Sequence, residues 1–202
     1  MTPSVPTAAS QRYTGPMTFR DDATLRLRAF HADGRTGDWV TIRYEKCGFA
    51  RPAEPRETQP GLLAEWYFKR FPDCAAIGGA QADGRCVADS VHFPQEATGR
   101  RAVGIVFRGY IDVPEKGIHT FALASNDGSV LRIGDRVVID NDGEHPLLEK
   151  TGQAALSAGL HPLELRFFDY NGGKVQLSLV SEDGGRRTLD GKWLRHVPAE
   201  SR

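Results

Sequence analysis

The chain has 202 residues, and its 26 lysines and arginines balance 26 aspartates and glutamates, so the formal net charge is zero. This balance argues against a nucleic-acid partner or an anionic membrane surface, because both attract proteins with a surplus of positive charge. No apolar run approaches the length needed to cross a membrane, so the sequence predicts no membrane insertion.

Two short segments near the N-terminus alternate between apolar and polar residues. Thr24–Phe30 places leucines on one face and arginines on the other, and Val40–Tyr44 repeats the alternation. Each segment predicts a half-buried antiparallel strand. Two or three strands cannot bury enough surface to be stable alone. Residues 1–47 are therefore interpreted as a partial β module. The Pro-spaced, polar residues 48–60 are predicted to form a semi-rigid linker.

Alternating segments recur over residues 61–198 at the spacing of a β-sandwich. No segment of helical length keeps a period near 3.6, although a short turn fits near Phe68–Phe71. The fold class is therefore all-β, an antiparallel β-sandwich preceded by a small β module. The predicted strands of the sandwich are Leu62–Tyr67, Val103–Ile111, His119–Ala124, Val130–Ile133, Arg136–Asp140, Gln153–Leu156, Leu160–Tyr170, Val175–Val180 and Trp193–Val197.

Three cysteines bear on the cellular compartment. Cys74 and Cys86 flank a loop rich in glycine, alanine and aspartate, which a disulfide between them would tie down, as suits an exported protein. The alternative is two unrelated buried thiols, because spacing alone does not establish the Cα geometry of a disulfide. Cys47, beside Gly48 at a strand end, is predicted to be a packed or inert thiol.

The loop Ser125–Ser129 collects hydroxyl, carboxamide and carboxylate oxygens between two predicted strands. Such ligands suit a hard cation such as Ca²⁺, or a polyhydroxylated ligand, and do not suit zinc. A structural role is the alternative: Asn126 and Asp127 would bond to their own loop backbone, with Gly128 at positive φ. Both interpretations remain open from the sequence.

A second polar loop, Asp169–Gly173, lies between two alternating segments and is predicted to be a hairpin tip, because Asn-Gly is a favoured turn pair. The acidic run Asp140–His145 is interpreted as loop caps, since no second histidine lies at metal-ligand spacing. Most aromatic residues fall in strands and are predicted core. Trp39 lies in a predicted loop and is the more exposed candidate for stacking on a sugar.

Known catalytic motifs are absent from the sequence: there is no nucleophile elbow, phosphate-binding loop, HExxH pair or dinucleotide fingerprint. Counting carboxylates does not exclude a glycosidase pair, but the acidic residues fall on predicted turns. The sequence therefore predicts no catalytic residues and no enzyme in this chain.

Six blocks, in order along the chain, resemble the protective-antigen-type ("PA fourteen") β-sandwich domain of bacterial toxins, glycosidases and yeast flocculins. This resemblance implies a non-catalytic, accessory domain. The blocks are Gly61–Tyr67, Val103–Gly117, Ser125–Ile139, Asp140–His145, Gly159–Phe167 and Asn171–Leu177.

In the sugar-binding fungal members of this family, two adjacent aspartates on the first loop hold a calcium ion that receives sugar hydroxyls. An asparagine on the second loop can join them. The resemblance thus implies carbohydrate-binding residues Asn126, Asp127, Asp169 and Asn171, with Asn126, Asp127 and Asn171 as calcium ligands. Asn126 stands where the family has its first aspartate, and the lower ligand charge predicts calcium binding in roughly the 10⁻⁴–10⁻³ M range or none.

The N-terminal residues are similar to the C-terminal Ig-like module of chitobiases and β-hexosaminidases. Together the two resemblances imply a carbohydrate-binding accessory region of a larger exported bacterial glycoside hydrolase, such as a hexosaminidase or fucosidase. Its expected partners are a glycan and the adjacent catalytic domain, in a secreted, periplasmic or cell-surface setting. The alternatives are a structural spacer or protein-interaction module without sugar binding, and loops that complete the active site of the attached enzyme.

Overall fold

A computed structural model describes residues 5–79 and 81–198 and divides the chain into two compact units, Met1–Gly48 and Phe49–Arg202. The first four residues of the predicted N-terminal module lie outside the described residues. The regular structure is almost entirely β, and every named strand pair is antiparallel, which confirms the predicted fold class. No helix in the described part of the chain is long and apolar enough to span a membrane.

Fourteen strands and two short 3₁₀ helices, Cys74–Ala76 and Gln95–Ala97, make up the described regular structure. The strands are β1 (Ala23–Phe30), β2 (Thr36–Tyr44), β3 (Gln59–Pro60), β4 (Leu62–Tyr67), β5 (Gly84–Ala88), β6 (Val103–Val113), β7 (Gly117–Ser125), β8 (Ser129–Ile133), β9 (Arg136–Asn141), β10 (Leu148–Leu156), β11 (Gly159–Asp169), β12 (Val175–Val180), β13 (Arg186–Thr188) and β14 (Leu194–His196).

The first unit is a two-stranded sheet of β1 and β2. Leu25 pairs with Ile42 and Leu27 with Val40, so the apolar residues share one face as predicted. Trp39 lies within β2, opposite Arg28, and not in a loop as the sequence suggested. None of residues 5–48 is fully buried. The unit therefore has no core of its own.

The second unit is a sandwich of two sheets. The smaller sheet has the order β10-β7-β12-β13, and the larger is built around β6, which pairs with β11 on one edge and with β4 and β14 on the other. The residues predicted as a linker contribute to it: Ala50 N donates to Ala155 O, Ala53 N donates to Leu160 O, and β3 pairs with β14.

Adjacent residues of the larger sheet point to opposite faces and enter two separate hydrophobic clusters. Phe167 packs in the main core between the two sheets, whereas Phe168 packs in a smaller cluster on the outer face. Ile105 and Val106 of β6 divide in the same way. The outer cluster is closed by Phe71 and Ile77, so this end of the larger sheet is buried on both faces.

The predicted disulfide between Cys74 and Cys86 is not formed, because both cysteines are free thiols. Cys74 belongs to the outer cluster, while Cys86, on β5, packs against the main core, so the larger sheet lies between them. The Cys74 thiol instead donates to the backbone oxygen of Arg166 at 3.6 Å. Burial, helped by the Asp142 carboxylate, raises its pKa well above the ordinary value.

Candidate functional site

Two loops meet at one end of the sandwich because of strand register. Ser125, at the end of β7, pairs with Val175 at the start of β12, and Ser129, at the start of β8, pairs with Phe167 near the end of β11. The connections Ser125–Ser129 and Asp169–Gly173 therefore lie side by side, and we call this region the loop end. The structure thus brings together the four residues that the sequence singled out.

Asp127 lies at the centre of the loop end and joins three chain segments. Its Oδ1 accepts a hydrogen bond from His145 N at 3.3 Å, and its Oδ2 accepts one from Tyr170 N at 3.1 Å. Its own backbone N–H donates to His145 O. Asp127 is 8% exposed and has a φ of +60°. Its carboxylate therefore holds the loop end together through bonds to two other segments, and not to its own loop backbone as the structural interpretation predicted, while the residue stays slightly exposed.

Gly128, which was predicted at positive φ, is required for a different reason. Asp127 takes the left-handed conformation instead, and a Cβ on Gly128 would lie 2.3 Å from Phe168 Cε1 and 2.7 Å from Asp142 Oδ1. No real Cβ approaches other atoms so closely. Glycine is present here so that the loop can pack directly against the outer cluster.

A buried hydroxyl network supports the loop from below. Ser125 Oγ donates to Asp127 O at 2.8 Å, lies 2.7 Å from Ser129 Oγ and accepts from Asn141 Nδ2 at 3.1 Å. Because the Ser125 hydroxyl has a single hydrogen, which it gives to Asp127 O, the Ser129 hydroxyl must be the donor in their pair. The network fixes the backbone that carries Asn126 and Asp127.

Asp169 is the most unusual residue of the loop end. Its side chain is 1% exposed, and its Oδ2 accepts from the N–H groups of Asn171 and Gly172 at 2.8 and 2.6 Å. Its Oδ1 is buried and has no hydrogen-bond partner within the described residues. Burial raises the pKa of Asp169, and the Asp127 carboxylate adds to this effect, against the lowering by the backbone N–H groups.

The two asparagines form the accessible part of the loop end. Asn126 is half-buried and Asn171 is exposed. The backbone N–H of Asn126 donates to Lys174 O at 2.9 Å, which ties the two loops together. Neither side-chain amide has a hydrogen-bond partner in the described part of the chain. Both amides are thus available to a ligand.

The rim of the loop end includes residues that sequence reasoning missed. The Arg70 guanidinium lies 4.1 Å from the ring centroid of Tyr170, and Arg70 also approaches Glu144 at 3.9 Å. The Tyr170 hydroxyl donates to Phe71 O. Tyr170 follows Asp169 directly, so an aromatic residue in a polar loop was the available signal. Arg70 lies far from Tyr170 in the sequence, and nothing in the sequence indicated that it would reach the loop end.

A calcium ion requires several oxygen ligands, and the loop end supplies some of them. Two carboxylates converge there, and the buried, unpartnered Asp169 Oδ1 is the type of atom that a cation satisfies. Among residues 5–79 and 81–198, however, no group of three or more His, Cys, Asp or Glu could hold a metal. The carboxamide oxygens of Asn126 and Asn171 would have to complete the set, so the residues fit a weak oxygen-ligand site.

Comparison with known proteins adds sequence similarity to this geometry. The family model of the PA14 domain matches residues 58–193. A β-hexosaminidase from Porphyromonas gingivalis is 27% identical over 169 residues, which cover 79% of this chain and 21% of that protein. The chain thus spans a minor part of the length of this curated relative.

Solved structures with the same domain superpose on the sandwich. The PA14 domain of the antifreeze protein MpAFP gives a TM-score of 0.61 at 19% identity, over 71% of this chain and 94% of that chain. A PA14 sugar-binding domain from an RTX adhesin gives 0.59 at 15% identity, over 69% and 99% of the two chains. At such low identity the likeness establishes the fold alone.

Proposed function

This chain belongs to the PA14 domain family, and from that premise we propose that it binds carbohydrate at the loop end, without catalysis of its own. The observation that carries the proposal is the buried Asp169 Oδ1, which has no partner in the described residues, while Oδ2 of the same carboxylate accepts from the backbone of the exposed Asn171. A buried carboxylate oxygen is costly to leave unsatisfied. A ligand or a ligand-bound cation at this end would remove that cost.

The remaining side chains suit sugar hydroxyls. The free amides of Asn126 and Asn171 each offer a donor and an acceptor, which is what a polyhydroxylated ring requires. The structural relative described as a sugar-binding domain from an RTX adhesin supports the same ligand class. Because Asp127 and the Ser125 network hold the loop backbone in place, these amides would bind with little loss of conformational entropy.

Calcium fits the proposal as an auxiliary group. Asp127, Asn126 and Asn171 would hold it, as the family resemblance implies, with Asp169 supplying further negative charge from below. Bound Ca²⁺ would offer open coordination positions to sugar hydroxyls. We keep the expectation of weak binding, in roughly the 10⁻⁴–10⁻³ M range or absent, because Asn126 contributes no charge.

The larger setting is also part of the proposal. The similarity to a β-hexosaminidase covers 79% of this chain, which supports an accessory region of a larger bacterial glycoside hydrolase that acts outside the cytoplasm. Its neighbour would be the catalytic domain of that protein. Glycan binding would then bring the catalytic domain to its substrate.

A second candidate, a protein-interaction module or spacer without sugar binding, is favoured by one observation. The first unit exposes large apolar side chains on β2, with Val40 at 57% and Trp39 at 47% exposure. Exposed apolar surface of this kind is a common mark of protein contacts. This candidate predicts that the chain binds no glycan under any calcium concentration.

A glycan array probed with and without calcium tests the proposal. We expect binding to at least one glycan class, weakened about tenfold or more by Asn171→Ala, whose exposed side chain makes no contact that the fold needs. Asp135→Ala, on the exposed turn after β8, is the matched control and should bind as the unmodified chain does. No binding to any glycan would overturn the proposal in favour of the interaction module.

Calorimetry tests the calcium part separately. Asn126→Asp should bind Ca²⁺ more tightly than the unmodified chain, because it restores a second anionic ligand. Micromolar binding by the unmodified chain would contradict the weakening role of Asn126. If neither form binds millimolar calcium, any glycan recognition is independent of the metal.

A further inference from the structure

The first unit contains a cleft of about 590 Å³ between residues 6–13 and strand β1. Its volume lies in the range of ordinary small-molecule sites. The basic side chains that line it are those of Arg12, Arg26, Arg28 and His31, and no aspartate or glutamate of the described chain contributes to it. Although the chain has no net charge, several basic side chains thus surround one concave surface.

The arginines of the cleft differ in how they are held. The Arg28 guanidinium is fixed by its own unit, because Nε donates to Gly37 O and Nη2 donates to Thr36 Oγ1, both at 2.8 Å. These two bonds leave Nη1 without a partner in the described residues. Arg12 is exposed and makes no ion pair or hydrogen bond with the described chain. One cation is therefore preorganised and a second is free to close over a ligand.

No carboxylate of the described residues forms an ion pair with Arg12 or Arg28. Asp33, two residues beyond His31, pairs with Arg35 at 2.7 Å, and Asp21 pairs with Lys46 at 3.2 Å. Neither carboxylate lines the cleft. The positive charges of Arg12 and Arg28 consequently remain available to an external anion, since an arginine guanidinium stays charged at any physiological pH.

Aromatic rings lie among the cations. Tyr13 is 62% exposed and Phe30 is 41% exposed, and both line the cleft. Arg28 Cζ lies 5.8 Å from the centroid of the Phe30 ring. Aromatic faces beside guanidinium groups match a ligand that has both an apolar ring face and a negative substituent.

We propose that this cleft binds an anionic saccharide unit, a sugar ring that carries a carboxylate or a sulfate. Arg28 and Arg12 bind the anionic group, and Tyr13 or Phe30 covers the ring face. A nucleic acid fits less well, because binding along a phosphate backbone needs a long basic track, whereas this chain has no net charge and the cleft is short. The site is distinct from the loop end and does not depend on glycan binding there.

Calorimetric titration of the full chain tests this, with three disaccharides as probes: a sulfated one, one containing glucuronate, and neutral cellobiose. We expect the anionic probes to bind, and their affinity to fall at roughly 0.5 M salt, where charge interactions are screened within a few Å. Cellobiose should bind at least tenfold more weakly. The ratio of the sulfated to the glucuronate affinity identifies the preferred anion.

Variants assign the binding to the cleft. Arg12→Gln and Arg28→Gln should each weaken the binding of the anionic probes about tenfold, and Arg12→Gln should leave the fold intact because Arg12 is exposed and makes no polar contact with the described residues. Arg136→Gln, an exposed arginine on β9, is the charge-matched control and should leave the affinity unchanged. Equal losses in all three variants, or no binding of either anionic probe, would overturn the proposal. Tighter binding of a single-stranded oligonucleotide than of the sulfated probe would also overturn it.

Discussion

The two units of this chain hold their polar side chains in opposite ways, one in a buried setting and the other at the surface. In the second unit Asp127 and Asp169 are buried, and their carboxylates accept hydrogen bonds from backbone N–H groups. In the first unit no described residue is fully buried, and Arg26 and Arg28 lie on a two-stranded sheet at the surface. The two candidate sites differ in the same way: the polar groups of the loop end are partly buried, and those of the cationic cleft lie at the surface.

The difference teaches where binding specificity can come from. The loop end positions its groups through backbone hydrogen bonds to buried carboxylates, so its geometry persists without a ligand. In the cationic cleft Arg28 is held by two hydrogen bonds, but Arg12 is exposed and must be ordered when a ligand binds. We therefore expect selective, geometry-dependent recognition at the loop end and salt-sensitive, charge-dependent recognition at the cleft.

The largest expected contrast concerns thiol reactivity. Cys47, in the first unit, is exposed, so it is not the packed thiol that the sequence predicted. Cys74, in the second unit, is buried and has a raised pKa because of that burial. Cys47 should react with a thiol reagent at once, and Cys74 only when the second unit opens, at least about a thousandfold more slowly. Mass spectrometry of timed reactions, without reductant, measures both rates.

The same measurement examines the cysteines of protein made in an oxidising compartment. Three cysteines that label after unfolding without reductant would agree with the free thiols of the structure. If Cys74 and Cys86 label only after reduction, the loop between them has rearranged across the edge of the larger sheet, and the packing described for the outer cluster is wrong.

Core truncation gives the next largest effect. Phe167 is fully buried in the main core and meets Phe93 edge to face at 6.3 Å. Phe167→Ala should lower the free energy of unfolding of the second unit by about 3–5 kcal/mol. Trp39→Ala, in the exposed sheet of the first unit, should change it by less than about 0.5 kcal/mol. Chemical denaturation measures both, and similar losses would mean that Trp39 is buried in solution.

A buried hydroxyl and an exposed one sharpen the comparison. Ser125→Ala removes the partner of Asp127 O, Ser129 and Asn141 inside the protein, and should cost about 1–3 kcal/mol. Thr36→Ala removes only an exposed acceptor of Arg28 and should cost less than about 0.5 kcal/mol. Because Ser125 supports the loop end, its loss should also weaken glycan binding, which Thr36→Ala should not do.

Much of the fold was predictable because alternation is strong where a strand is covered on one face. The strand Val175–Val180 was predicted with its observed bounds, and Leu62–Tyr67 likewise. β3, β5 and β13 were missed because they are short and lack a clear alternation of apolar and polar residues, and they depend on pairing with their neighbours. Tertiary context decides such strands, and local sequence does not.

The site residues were predictable as a group, but not their roles. Oxygen-rich loops marked Asn126, Asp127, Asp169 and Asn171, and strand register brings them together. The sequence could not show that Asp127 would accept hydrogen bonds from two other segments, or that Asp169 Oδ1 would be buried without a partner. Cys74 and Cys86 were paired wrongly because their spacing does not reveal which face of a sheet each side chain occupies.

The smallest expected effect is the most specific, since it concerns the charge of Asp169. Its pKa is raised in the folded protein by burial, with Asp127 adding to the shift. A raised pKa means that folding favours the protonated form, so the contribution of Asp169 to stability is full below the unfolded pKa and is lost as pH rises through the folded value. Asp169→Asn should remove this decline. It keeps an acceptor for the N–H groups of Asn171 and Gly172, so stability at neutral pH should change by less than about 1 kcal/mol.

The pKa of the exposed Asp33 in the first unit is shifted in the opposite direction, so its contribution to stability has the opposite pH dependence. Its pKa is lowered by a backbone hydrogen bond from Arg35, so its contribution is present above the unfolded pKa and is lost as pH falls through the folded value. Unfolding curves from pH 3 to 8, with a chelator to exclude cations, compare Asp169→Asn and Asp33→Asn with the unmodified chain. Asp33→Asn should leave the unfolding of the second unit unchanged at every pH, because Asp33 lies in the first unit. If Asp169→Asn keeps the pH slope of the unmodified chain, Asp169 is solvated in solution, and the unsatisfied oxygen on which the loop-end site depends does not exist.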